Sequence, residues 1–175
     1  PIEQASKKNV VQYSKENEDA VNIVTGFIAS NAKNVTTTLG RNGSNYTASL
    51  LANYLDASEL QNYTHVNGIY TANPDLVENS KKIEKLSYQE ANEMANFGAN
   101  ILHAKTIIPL IEKNIPLRIL NTFEPENLGT LIGSESEQGG IKSLSVQEDV
   151  ALVNLIGRGL LGKVGVDGRI FSALG

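Results

Sequence analysis

The chain has 175 residues, 15 Lys and Arg against 19 Asp and Glu, and no Cys. Hydrophobic residues at 41% and charged residues at 19% describe a globular chain able to bury a core without staples. The missing Cys exclude disulfides, thiolate zinc sites and thiol catalysis. The net charge of −4 argues against nucleic acid as main partner, and no run reaches the roughly 18 apolar residues of a membrane span.

The two His, His65 and His103, lack a metal-ligand spacing, so no metal site is expected. No signal-peptide pattern is present, so a cytoplasmic location is expected and the Asn-x-Ser/Thr triplets carry no glycan meaning. Pro1 in place of an initiating Met reads as a piece cut from something longer.

Residues 1–20 are polar and announce no element. Val21 to Ala29, apolar and rich in β-branched residues, predicts a buried strand entering a Gly turn. Thr36 to Leu39 is a second extended stretch. Ser44 to Leu55 predicts a helix with Ala48, Leu51 and Leu55 inward, widened by Leu50 and Tyr54. Glu59 to Tyr63 reads as a strand, and Asn67-Gly68 and Asn73-Pro74 as turns.

Ser87 and Glu90 form a capping-box pattern that should open a helix with Tyr88, Ala91 and Ala95 inward, ending near Gly98. Leu102 to Lys113 predicts another helix, with Ile107, Leu110 and Ile111 on one side and Pro109 at a kink or boundary. Pro116 to Leu120 and Gly129 to Ile132 are short strands. Alternating strands and helices predict an α/β fold with a mainly parallel sheet. Residues 134–140 have the composition of a linker. A strand at Val150 to Ile156, a Gly-rich turn and a helix from Val164 begin a second unit that looks truncated.

Three segments have the residues for binding. Gly157 to Gly162 fits G-x-G-x-x-G, but the acidic ribose ligand expected about 20 residues on would fall past the last residue, so a plain strand-to-helix turn competes with a dinucleotide site. In Thr36 to Asn45, small residues around Arg41 allow either a carboxylate or phosphate clamp or an N-capped helix with an exposed Arg. Tyr63 to Thr71 is a polar loop at a strand end, either a nucleotide cradle or a surface hairpin.

In order along the chain, these segments resemble the aspartokinase family. The matching runs are Thr25-Gly26-Phe27-Ile28, Thr36 to Ala48 (TTTLGR-x-GS-x-YTA), Thr64 to Pro74 (T-x-V-x-G-x-YTA-x-P), Leu86 to Ala91, Phe97 to His103, Asn121 to Pro125 and Gly129 to Ile132. They span 21–133. Asn42 after Gly-Arg is similar to the bifunctional aspartokinase–homoserine dehydrogenases, and Ala151 to Leu174 resembles the start of an ACT regulatory domain.

The resemblance implies the C-terminal half of an amino-acid kinase fold over residues 1–133, a linker over 134–140 and the start of an ACT-like unit over 141–175. It implies a parent that phosphorylates the side-chain carboxylate of L-aspartate with ATP and Mg2+, opening threonine, methionine and lysine biosynthesis. NADP enters only if a homoserine dehydrogenase follows. Feedback by an amino acid, threonine first, and homo-oligomerisation are implied as well. Phe27, Arg41, Ser44 and Asn45 would bind substrate; Thr64, His65, Gly68 and Tyr70 would bind nucleotide.

The chain departs from the family at Asn45, His65, Asn67, Asp75 and Asn100, where phosphate- or ammonium-facing charges are lost or reversed, and Lys105 would compensate only from a helix facing the site. The family's N-terminal Lys-x-Gly-Gly segment is absent. The piece alone is therefore expected to be inactive, and a non-catalytic, kinase-like regulatory module stands as the alternative.

Overall fold

The structure, a computed structural model, describes residues 3–96, 104–136 and 140–146, and the pairs 168–169 and 171–172. In chain order the elements are α1 (Glu3–Glu16), β1 (Ile28–Ser30), β2 (Thr36–Thr38), α2 (Gly43–Tyr54), β3 (Leu60–Thr64), β4 (Ile69–Tyr70), β5 (Lys82–Ile83), β6 (Lys85–Ser87), α3 (Tyr88–Asn96), α4 (Ala104–Ile111), β7 (Leu117–Asn121) and β8 (Thr130–Gly133). The expected end of α3 near Gly98 and the unit built on Val150 to Ile156 and Gly157 to Gly162 lie outside the described residues. The four described residues near the C-terminus are helical.

The main sheet has the order β3-β7-β8-β6. β3 pairs parallel with β7, β6 parallel with β8, and β7 antiparallel with β8. Two of its three ladders are thus parallel, each closed by a long crossover that includes α3 and α4. The antiparallel step is the direct return from Asn121 to Thr130. β7 shows why a short apolar run suffices for a central strand: Leu117, Ile119, Leu120 and Asn121 are buried.

Helices supply the rest of the core. α4 brings Ile107 and Leu110, α3 brings Tyr88 and Ala91, and these join Ile69, Leu86, Ile119 and Ile132 in one cluster. α3 starts as its sequence demands. The Ser87 hydroxyl accepts from the Glu90 amide (3.1 Å), and the Glu90 carboxylate accepts from the Ser87 amide (2.8 Å). The Tyr88 hydroxyl donates to the Ile115 carbonyl at 2.7 Å, which closes α3 onto the loop before β7.

Three sequence expectations change. Val21 to Ala29 is not a buried strand: Val21 and Ile23 are more than nine-tenths exposed, and only Ile28–Ser30 pairs, antiparallel with Thr36–Thr38. β-branched residues favour a strand only where a neighbouring strand receives them, and none of the described residues does so for 21–25. In α2 Tyr54 is buried as expected, but the rest of the inward face is Ser49, Ala52 and Asn53 in place of Leu51 and Leu55, of which Leu55 is exposed. In α4, Ile111 is exposed.

Asn53 is buried against the last turn of α4, where the Pro109 carbonyl has no helical donor. Lys113, the next potential donor to the Pro109 carbonyl, bonds instead to Leu110 (3.3 Å). The Asn53 amide takes that carbonyl at 2.7 Å and also reaches Glu112 at 3.2 Å. Lys113 returns the contact by donating to the Asn53 carbonyl (2.6 Å) and pairing with Asp56. A polar clasp therefore joins α2 to α4.

A second device ties the small β4–β5 ribbon to the sheet. Thr130, fully buried, donates its hydroxyl to the Ile83 carbonyl (2.6 Å) and accepts from the Ile69 amide (2.8 Å). Gly68, at φ +127, lies so close to that hydroxyl that a side chain has no room there.

Replacing Asn53 by Leu leaves the Pro109 carbonyl buried without a donor. The expected loss is about 1–3 kcal/mol, read as a lower urea midpoint. Arg118 forks onto Glu59 (Nη2 to Oε2, 3.0 Å) and draws the Glu59 carboxyl below its ordinary value. The pair therefore stabilises above the ordinary carboxylate range and stops doing so as pH falls through the lowered folded value. Glu59→Gln should cost up to about 1 kcal/mol at pH 7, and the gap to wild type in a pH series of unfolding midpoints should close at acid pH.

Candidate active site

The turn before α2 is built from backbone freedom. Gly40 (φ +77) and Asn42 (φ +60) both adopt left-handed conformations, and the Gly43 amide closes the turn onto the Gly40 carbonyl at 3.0 Å. Asn42 gives α2 no side-chain cap. A second turn leans on this one. Gly26 and Phe27 have φ +44 and +66, and the Phe27 carbonyl accepts from Leu39 at 2.9 Å. The Phe27 amide donates to the Thr47 hydroxyl at 3.2 Å. A side chain on Gly43 would lie 2.9 Å from the Leu39 Cβ and 3.0 Å from the Phe27 ring. One such close approach fixes where Phe27 sits against the start of α2.

Arg41, at the tip of the first turn, borders a cavity of about 800 Å³ between α2 and α4. Tyr46, Asn53, Lys105, Ile108 and Glu112 also line it. Arg41 is exposed and has no hydrogen bond or ion pair among the described residues. Its cation is thus available to an anion in the cavity mouth. Lys105 stands on the same cavity, so α4 faces the Arg41 side, not the loop after β3. Tyr54 lies behind this wall. Its buried hydroxyl has no partner among the described residues, and burial, with Glu3 and Glu112 adding, pushes its pKa up.

Asn45 opens on a different space, a small cavity shared with Ser49, Gln61, Asn62 and Leu117. Phe27 and Ser44 line neither cavity; Ser44 is exposed in the first turn of α2, against Gly26. The four residues expected at the substrate are thus gathered around one helix start, but Arg41 and Asn45 face apart.

The four residues expected at the nucleotide run from the last residue of β3, Thr64, into β4. The Thr64 hydroxyl accepts from the Val66 amide at 3.0 Å, His65 is exposed, Gly68 is pinned on Thr130, and Tyr70 pairs with Lys82. Asp75 occupies the exposed turn after Asn73, its amide bonded to the Asn73 carboxamide at 3.1 Å. Asn100 lies outside the described residues. Asn121, which opens one of the runs shared with the aspartokinase family but has no role assigned from sequence, ends β7 at the level of Thr64 and bonds to Asn67 in the loop. Its local signal is a polar residue closing the apolar run of β7.

The model of the amino acid kinase family matches residues 1–121. The chain belongs to the amino acid kinase family. Within it, the chain is 39% identical over 175 residues to the bifunctional aspartokinase/homoserine dehydrogenase of Haemophilus influenzae, covering 99% of this chain and 21% of that protein. The lysine-sensitive aspartokinase 3 of Escherichia coli is 39% identical over 153 residues, 87% of this chain and 34% of that one. The structure of E. coli aspartokinase III with aspartate and ADP superposes with a TM-score of 0.73 at 40% identity, over 78% of this chain and 31% of that one. The same enzyme with lysine and aspartate gives 0.69. The chain thus spans between about a fifth and a third of the length of these relatives.

This kinase-family turn should not tolerate a side chain at 43. Gly43→Ala is expected to lose about 1–3 kcal/mol through overpacking against Leu39 and Phe27. Ser44→Ala, one residue on and exposed, should stay within about 0.5 kcal/mol of wild type. Thermal unfolding of the two variants side by side checks both.

Proposed function

We propose that the chain is part of an aspartate kinase, transferring the γ-phosphoryl group of ATP to the side-chain carboxylate of L-aspartate. The observation that carries this reading is Arg41: a guanidinium without a partner among the described residues, at the mouth of a cavity, on a turn whose Gly, Asn and Phe positions follow the aspartokinase pattern. A forked cation suits a carboxylate substrate. In the reaction a carboxylate oxygen forms a bond to the γ-phosphorus as the bond to the ADP oxygen breaks. The protein's task is to position two anions and offset their charge.

ATP then belongs to the stretch of Thr64, His65, Gly68 and Tyr70, from the carboxyl end of β3 into β4, where open α/β sheets receive ligands. Among the described residues no three His, Asp or Glu side chains gather into a metal cage. Magnesium enters the reading only as the partner of the ATP phosphates. An amino-acid effector acting through an ACT-like unit at 141–175, a homo-oligomer and a cytoplasmic setting complete the proposal. NADP belongs to it only through a following dehydrogenase domain.

Residues 1–175 alone should yield no aspartyl phosphate, because the phosphate-facing Lys-x-Gly-Gly segment of the family is not among them. The natural protein that carries this chain should form it from Mg-ATP and L-aspartate, trapped as the hydroxamate. Arg41→Ala should lower kcat/KM for aspartate about 10- to 100-fold, the effect of losing hydrogen bonds to a charged group. The drifted charges at Asn45, His65 and Asp75 support a second reading, a kinase-like regulatory module. Folded full-length protein inactive both as wild type and as Asn45→Asp would favour it.

A further inference from the structure

The loop after β3 is held by a chain of side-chain bonds whose polarity can be assigned from one end. In the parallel β3–β7 pair, Thr64 lies beside Asn121. The Thr122 amide donates to the Thr64 carbonyl at 2.9 Å. The Asn121 carboxamide, buried, accepts from the Phe123 amide at 2.9 Å. A backbone N–H can only donate, so this bond fixes which end of Asn121 is oxygen. Its nitrogen then donates to Asn67 Oδ1 at 2.7 Å. That in turn fixes Asn67, whose own nitrogen donates to Glu124 Oε2 at 2.9 Å.

Asn67 stands where the aspartokinase pattern that Thr64 to Gly68 resembles has Asp. In this chain the carboxylate stands across the gap instead, at Glu124. An Asp at 67 would keep the bond from Asn121 and set oxygen against oxygen at Glu124, where like charges repel. The next residue, Gly68, is trapped against Thr130. A displacement at 67 therefore cannot be absorbed at 68 and falls on 64–66.

We propose that Asn67 and Glu124 are a matched pair of positioning residues that orient the nucleotide loop, the amide at 67 being required by the acid at 124. The inference rests on the nucleotide reading of Thr64, His65, Gly68 and Tyr70.

The test uses the natural protein that carries this chain, as wild type, Asn67→Asp, Glu124→Gln and the double variant, with KM measured separately for ATP and L-aspartate. Asn67→Asp should raise KM for ATP about tenfold, the scale of one charge-assisted bond lost, and leave KM for aspartate unchanged. The double variant should recover the wild-type value, because the Gln amide can donate to the new carboxylate. Glu124→Gln alone should be mild, its amide oxygen still accepting from Asn67. A merely structural role would lower thermal midpoint and kcat without separating the two substrates, and would overturn the proposal. So would an active Asn67→Asp enzyme with an unchanged KM for ATP, or one that Glu124→Gln fails to restore. A wild type that neither binds nor turns over nucleotide overturns instead the kinase reading beneath it.

Discussion

The Thr130 hydroxyl bears more of this architecture than its size suggests. It is fully buried, and it holds the first residue of β4 and the last residue of β5 to the first residue of β8. It is the tie of this ribbon to the main sheet, and a two-residue ribbon has no stability of its own. Gly68 is the complement of that hydroxyl: the position that leads the chain into β4 must be bare because the Thr side chain occupies the space. The segment that the family resemblance marks for the nucleotide is therefore stiffened from the sheet side before any ligand is considered.

The opposite end of the molecule is organised by Pro109. The Pro109 carbonyl lies in the last turn of α4, where no helical amide reaches it, and Asn53 takes it, so that a polar side chain joins two helices where an apolar contact would have been expected. The wall of the Arg41 cavity between α2 and α4 follows from this. Its spacing is set by a hydrogen bond with a definite length, not by deformable packing, and the guanidinium at its rim is placed by a turn that depends on left-handed backbone at Gly40 and Asn42.

Local signals were read well from the sequence. The Ser87–Glu90 box and the turn at Asn67-Gly68 depend on neighbours within four residues, and the structure shows them; the strand expected over Pro116 to Leu120 is found one residue on, at Leu117–Asn121. The errors come from elements whose state depends on distant chain. Val21 to Thr25 has the composition of a buried strand but lies exposed. α2 buries Ser49 and Asn53 in place of Leu55, because α4 offers it a carbonyl and not a greasy groove. For the same reason Arg41 could be singled out from its turn, while Glu124 could not. Asn67 and Glu124 are 57 residues apart, and only the parallel pairing of β3 with β7 makes them neighbours.

The chain past β8 comes back to β4. The Leu144 amide donates to the Thr71 carbonyl at 2.8 Å, and the Ser143 hydroxyl approaches the Tyr70 carbonyl at 3.5 Å. β4 is thus clamped along both edges, by β5 on one and by the stretch 140–146 on the other. The stretch 140–146 meets the chain at Tyr70 and Thr71, next to the residues expected at the nucleotide. The ribbon is therefore held at two places, to the sheet through Thr130 and to the stretch 140–146 through Tyr70 and Thr71, which couples a segment far along the chain to the loop after β3.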